Sequence, residues 1–282
     1  MVYAVSVRMD YTTVGHVTVD VMADGTRRAG GSAFYAALQA ARLGARARIV
    51  TRGVRAEIEA LLEPYADELE LEVIESEHTT TLQTWDEGPA RAQRMLAWAG
   101  QIGTDVRLDT RVAHLAPVAR ETPVSWRGHA EFVGVTPQGL IRDWPEADGR
   151  VVPRALDLAL MPARCDAIVF SQSERECCAA LLDPSRTRAP IVAVTAAANA
   201  VELHLPGGGV AHVDVPSVED MCDDIGAGDV FAAAFFVALA GGDTPPAAAA
   251  FANAAAAVRI GAGGAAAIGD RRRVQERAAT VT

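Results

Sequence analysis

Lysine is absent from this chain: all 26 of its permanently basic residues are arginine. That removes whole mechanisms, because a Walker-type phosphate loop, a protein kinase and a Schiff-base enzyme each depend on a lysine amine. Any phosphate bound here must be held by backbone amides, arginine or a metal. Cysteine is sparse as well. The four, Cys165, Cys177, Cys178 and Cys222, form no CxxC pair and no Cys/His spacing suited to zinc, so reduced thiols are expected. No segment reaches the roughly 18 uninterrupted apolar residues of a membrane span, and MVYAVSVRMD lacks the basic start and long apolar body of a secretory signal. A cytoplasmic protein is expected. With 36 acidic residues against 26 basic ones, the chain carries a formal charge of -10, which argues against a nucleic-acid surface or an anionic membrane and for a small-molecule partner.

What is present is a 282-residue chain, half hydrophobic, that alternates strand-like and helix-like segments. GHVTVDV (15–21) alternates like a strand, and GGSAFYAALQAARLG (30–44) then takes helical spacing with a Gly44 stop. ARIVT (47–51) reads as a strand, VRAEIEALLEPYA (54–66) as a helix and ELELEVIE (68–75) as a strand. HTTTLQTW and RAQRMLAWA flank Asp86-Glu87-Gly88-Pro89, a hairpin turn. VAHLAPV, EFVGVTP, DAIVFS and PIVAVTA are short apolar runs suited to a buried parallel sheet. Two Ala-rich helices are expected near 227–241 and 245–259. With no linker-like stretch and no repeat, the reading is one α/β domain over 1–282, a three-layer αβα sandwich on a mostly parallel sheet. Segments near 20–30 and 78–98 supply a reduced β-lid.

The most informative stretch is DDIGAGDVFAAAFFVALAGG, from Asp223 onward. Gly226, Ala227 and Gly228 open a helix, where unpaired N–H groups and the positive end of the helix dipole form an anion hole. Asp229, one turn in, is placed to take a proton from a hydroxyl attacking a phosphate. An Asp-capped helix behind a glycine turn gives the same pattern without a ligand, so both interpretations stay open on these residues alone. A dinucleotide fingerprint fails here, since its third glycine would fall on Phe231.

The run from Asp223 to Asp229 resembles the D-T-x-G-A-G-D signature of the ribokinase-like (phosphofructokinase B-type) carbohydrate and nucleoside kinases. Gly15, Asp20, Gly30-Gly31, Leu43-Gly44, HLAPV at 114–118, SQSE at 171–174 and FANAAAAVRIGAGGA at 251–265 fall in that family's order. The resemblance implies ATP-dependent phosphorylation of an alcohol on a sugar, polyol or nucleoside, with Mg²⁺ between the phosphates. It makes Asp229 the base, the amides of Gly226, Ala227 and Gly228 the anion hole, and Asp20 with the Gly30-Gly31 backbone the acceptor contacts. Tyr35 stands where many members carry a substrate-facing Asn. Glu174 matches the acid that holds Mg²⁺ through water. Thr195, Asn253, Gly261 and Gly263 fall at the nucleotide side.

Departures are several. Asp224 replaces the usual Thr, Ser171 the usual Asn, and Ala197 and Ala200 two glycines beside the nucleotide. Asp224 either repels the phosphate, caps the helix or helps hold the metal. Arg142, in a loop after a strand, is a candidate for substrate or phosphate, its alternative being a solvated loop cation. His16 and His114 read most simply as structural histidines. Three functions remain in competition: a kinase of a carbohydrate or cyclic polyol such as inositol, a nucleoside kinase using Phe34, Tyr35 or Trp85 to stack a base, and a non-catalytic regulatory member. A short lid would remove the lid-mediated dimer contact of such members, so the oligomeric state, a homodimer included, stays open.

Overall fold

The computed structural model describes residues 8–87, 90–145, 148–183, 191–218 and 221–280. In chain order, strand β1 (Met9–Val14) precedes the hairpin β2 (Thr18–Val21) and β3 (Arg27–Gly30), helix α1 (Ser32–Arg42), β4 (Ala47–Gly53), α2 (Arg55–Leu62) and β5 (Leu69–Glu75). A second hairpin, β6 (Thr81–Glu87) and β7 (Ala90–Ala97), leads to β8 (Thr110–Leu115), β9 (Ala130–Val135) and the short pair β10 (Arg142–Asp143) and β11 (Val152–Pro153). Then come β12 (Ala167–Ser171), β13 (Ile191–Ala196), β14 (Asn199–His204) and β15 (Val210–Val213). Helices α3 (Ala227–Ala240), α4 (Pro245–Ile260) and α5 (Arg271–Ala279) close the chain. Of the turn expected at 86–89, Gly88 and Pro89 lie outside the described residues.

The main sheet runs β15-β14-β13-β12-β9-β8-β1-β4-β5. From β13 to β5 every neighbouring pair is parallel, and β14 and β15 add an antiparallel edge. The central strand β1 carries no sequence signal, because MDYTTV neither alternates nor forms an apolar run. Thr12 and Thr13 are nonetheless fully buried between β4 and β8. Thr13 Oγ1 donates to Arg48 O at 3.4 Å, whereas Thr12 Oγ1 is buried with no partner among the described residues. Tyr11 and His114 are hydrogen-bonded, which offsets their burial. The hydroxyl of Tyr11 meets His114 Nδ1 at 2.9 Å, and His114 Nε2 meets Thr136 Oγ1 at 3.0 Å. Burial pushes His114 down to about 3, so it is a neutral core histidine.

The two faces of the sheet are covered differently. All five α-helices lie on one face, packing Phe34, Ile58, Phe235, Ala252 and Val274 against Tyr11, Ile49, Val112 and Val169. On the opposite face Val50, Val135, Ile168 and Val192 meet Ile102, Leu140, Leu156 and Leu181, which come from loops and 3₁₀ turns. The third layer is therefore thin, and among the described residues it holds no α-helix. The Ala-rich helices end close to their expected limits, with Thr244 preceding a Pro at the first position of α4. None of the described helices is long and apolar enough to cross a membrane.

The two lid segments join in a separate four-stranded sheet, β3-β2-β6-β7, in which β2 and β6 are parallel. Two of its strands are only four residues long. Where β3 turns into α1, Gly31 adopts φ +96°, and a Cβ there would lie 2.2 Å from the carbonyl oxygen of His16. Gly31→Ala should lower the unfolding free energy by about 3 kcal/mol in a urea titration. Gly25, at φ +82° in open space, isolates the conformational part, so Gly25→Ala should cost only about 1 kcal/mol.

Candidate active site

Loops from the carboxyl ends of β1, β8, β9, β12 and β13 gather at one edge of the parallel sheet, where open α/β sheets place their ligands. The turn before α3 lies there. Gly226 adopts φ +78°, a left-handed conformation, and a Cβ on it would lie 2.3 Å from Tyr35 Cδ1. The glycine is therefore required twice, by its dihedral and by the ring packed against it. Among the described residues the N–H groups of Gly226, Gly228 and Asp229 have no backbone acceptor, as expected of an anion-binding helix start. Ala227 is the exception: its N–H donates to Asp224 O at 3.1 Å, so it closes the turn and is spent within it.

Asp229 sits in the first turn of α3, only partly exposed. Burial raises its carboxyl to about 7, and the negative charge of Glu174 adds to that, while Ser32 and Arg142 pull it back. A carboxyl held near neutrality is what a general base requires. Glu174 itself takes part in a capping box, accepting the Ser171 N–H at 2.7 Å through Oε2.

On the lid side Asp20 projects from β2, with the Thr18 hydroxyl donating to its Oδ1 at 2.7 Å. A Cβ on Gly30 would lie 2.1 Å from Asp20 Oδ2, so this carboxylate occupies the space that Gly30 leaves free. Burial raises its pKa, and the Thr18 hydrogen bond and Arg142 oppose the shift. Tyr35 is 93% buried by its 7% exposure, and burial carries its hydroxyl to about 12, with Asp20, Asp223 and Asp229 adding to the shift. It is a wall between the lid acid and the turn.

Arg142 links these groups. Its Nη1 donates to Val118 O at 3.2 Å. Burial lowers its pKa, and Glu174, Asp229, Asp20 and Glu121 all act in the opposite sense, so four carboxylates share this cation. The loop cation of the sequence analysis is a part-buried centre of the site.

The nucleotide-side residues separate. Thr195, next to last in β13, remains part-exposed beside Ser171, and Gly261 and Gly263 are exposed after α4. Asn253 is not with them: it is buried, and its amide donates to Asp214 O at 2.9 Å and Val213 O at 3.5 Å, tying α4 to the end of β15. Among the described residues no group of three or more His, Cys, Asp or Glu side chains could hold a metal ion. Glu174 near Asp229 fits instead a Mg²⁺ that keeps most of its waters and travels with donor phosphates. Phe34, a base-stacking candidate, is fully buried in the core and unavailable, and His16 is structural, its Nδ1 lying 2.7 Å from Thr80 Oγ1.

A cleft of about 600 Å³ separates the lid from the turn; Arg28 and Trp85 line one wall, and Asp223, Ile225, Gly263 and Gly264 the other. Three residues that the sequence did not single out support the site. Ser32 acts on Asp229. Glu121, fully buried, accepts N–H groups of His16, Val118 and Ala119 and so fixes the loops after β1 and β8. Arg259 holds Asp223. Only Arg259 left a signal, as the one charge in the apolar run FANAAAAVRI.

Because Asp229 titrates near 7 in the folded protein against an ordinary 3.8, the native state binds its proton more tightly than the unfolded chain does. Its contribution is therefore fully present below about 3.8 and is lost as pH rises through about 7. Asp229→Asn removes that loss. The variant should melt at a higher temperature than the parent at pH 8, and the gain should disappear on titration toward pH 4.

Residues 151–270 match the model of the pfkB family carbohydrate kinases. No curated protein matches the chain by sequence. Among solved structures it is similar to a pyrophosphate-dependent kinase in the ribokinase family complexed with a pyrophosphate analog and myo-inositol, at TM-score 0.73 and 20% identity over 94% of this chain and 99% of that one. A nucleoside kinase of Methanocaldococcus jannaschii gives TM-score 0.75 and 16% identity over 97% and 99%. Arabidopsis thaliana ribokinase complexed with ribose and ATP gives 0.71 and 17% over 96% and 99%. At such identities the likeness is one of fold. The chain thus has the ribokinase-like fold along nearly its whole length, and residues 151–270 match the pfkB family carbohydrate kinase model.

Proposed function

We propose that this protein transfers the terminal phosphoryl group of ATP to a hydroxyl of a small carbohydrate or cyclic polyol. One observation carries the proposal: a carboxyl poised near neutrality, Asp229, stands in a helix start whose Gly226 and Gly228 amides have no backbone acceptor among the described residues. Asp20, with the backbone of Gly30 and Gly31, orients the acceptor, and Tyr35 closes the pocket behind it. As the acceptor oxygen forms its bond to phosphorus, its proton passes to Asp229 and the bond to ADP breaks. The amides of Gly226 and Gly228 and the guanidinium of Arg142 receive the charge gathering on the transferred phosphoryl oxygens. With lysine absent, arginine is the side-chain cation available for that task. Mg²⁺ supplies charge neutralisation on the donor phosphates, and Glu174 is the residue that would hold it through water. Thr195, Gly261 and Gly263 border the donor, and Asn253 supports α4 from within.

A nucleoside acceptor is the second reading, favoured by Trp85, whose ring lines the cleft opposite the turn. The neighbour that takes a pyrophosphate analog makes the donor a variable as well.

The deciding assay offers Mg²⁺ with ATP or pyrophosphate and a panel of sugars, inositols and nucleosides. ATP consumption should rise with a sugar or inositol; a response confined to nucleosides selects the second reading, and one confined to pyrophosphate changes the donor. No turnover with either donor, together with no donor binding by calorimetry, overturns the proposal. For an active pair, kcat/KM should fall on the acid side with an apparent pKa near 7, since only ionised Asp229 accepts the proton. Asp229→Asn should lose about 10²–10⁴ in kcat with donor affinity nearly unchanged.

A further inference from the structure

Arg259, in the last turn of α4, has no exposed surface. A guanidinium is buried at a cost unless its donors are satisfied. Here the two Nη atoms reach four acceptors, while Nε has no partner among the described residues: Nη1 donates to Asp223 O at 3.2 Å and Ala262 O at 3.0 Å, and Nη2 to Asp223 Oδ2 at 2.8 Å and Ile225 O at 2.6 Å. Its carbon lies 5.8 Å from the centre of the Tyr35 ring. Asp223 extends the network, accepting the Ile225 N–H at 2.9 Å and the Gly264 N–H at 3.2 Å. Burial raises the Asp223 carboxyl, but Arg259 and these two amides outweigh it and hold the pKa below its ordinary value. One side chain thus joins the turn before α3, the glycine-rich loop after α4 and the Tyr35 wall.

The peptide unit is planar and trans, so its C=O and the following N–H point in opposite directions. Arg259 holds the carbonyl of Ile225; the N–H of Gly226, in the same peptide plane, must then face away from Arg259. That N–H has no acceptor among the described residues. In a turn where Gly226 imposes almost no conformational preference of its own, the orientation of this donor has to come from outside the turn. We propose that Arg259 is a positioning residue that aims the Gly226 N–H at the transferring phosphoryl group by fixing the Ile225 carbonyl, and that ties this aim to the donor-side loop through Ala262. The proposal rests on the kinase reading for its catalytic consequence, but its structural content can be measured without turnover.

Arg259→Lys keeps the charge but offers one nitrogen in place of the fork, so it cannot hold four acceptors. In the folded variant kcat should drop roughly 10- to 100-fold with the acceptor KM within about threefold, the range expected when one anion-hole donor is misaimed. A purely structural Arg259 would lower the melting temperature and leave kcat of the folded protein intact. Amide exchange over residues 222–231 of the ligand-free protein should quicken about tenfold while the lid stays unchanged. This second readout holds if the parent proves inactive, and so separates failure of the kinase reading from failure of this one. Asp223→Asn weakens the same fork from a part-exposed position; it should move kcat and exchange in the same direction by a smaller factor, and it decides the matter if Arg259→Lys does not fold. Unchanged exchange and kcat within twofold of the parent, in Arg259→Lys or in Asp223→Asn alone, overturn the proposal.

Discussion

The site depends on side chains standing where Cβ atoms are missing. Asp20 fills the space beside Gly30, and the Tyr35 ring that beside Gly226, while the His16 carbonyl closes on Gly31. These approaches, each near 2.2 Å from a hypothetical Cβ, bring the lid strand, the start of α1 and the start of α3 closer than any other residue type would permit. Asp20 and Asp229 both act on Arg142 and Tyr35 because these glycines let the neighbouring groups come so close. The positive φ of Gly31 and Gly226 supplies the turns that let α1 and α3 begin at that point.

Crowding acids in this way has an electrostatic consequence. Asp20 and Asp229 both lie where burial raises their pKa, and Arg142 opposes both shifts. Glu174 faces Asp229 and pushes it further up. The result is uneven: the carboxyl at the helix start remains poised near neutrality, and Asp223, bound by Arg259, is held well ionised. Two acids six positions apart in one turn are thus driven in opposite directions by their partners.

Much of this was legible in the sequence. The glycine-carboxylate turn, the two Ala-rich helices and the two lid segments follow from local rules of capping, periodicity and turn chemistry. What escaped was decided by distant partners. MDYTTV became the central strand because β4 and β8 enclose it, although its own pattern says nothing. Asn253 and Ala227 looked like ligand contacts, yet the Asn253 side-chain NH₂ donates to Asp214 and Val213 and the Ala227 N–H to Asp224. A donor's position in a motif does not reveal whether the fold has already used it. The thin third layer was equally hidden, since segments that cover a sheet as 3₁₀ turns lack the helical period that would announce them.

The absence of lysine gains meaning from where the arginines went. A lysine ammonium is a compact point charge on a flexible stem, suited to following a moving phosphate. An arginine fork is rigid and can bind several oxygens at once, so it serves better to hold a framework still. Arg259 uses its fork on four acceptors of the protein itself, and Arg142 shares its charge among four carboxylates. Neither stands free in solvent. In a chain without lysine, a phosphate held at this edge would meet backbone amides and the Arg142 guanidinium, while Arg259 stands behind the turn and holds the Ile225 carbonyl.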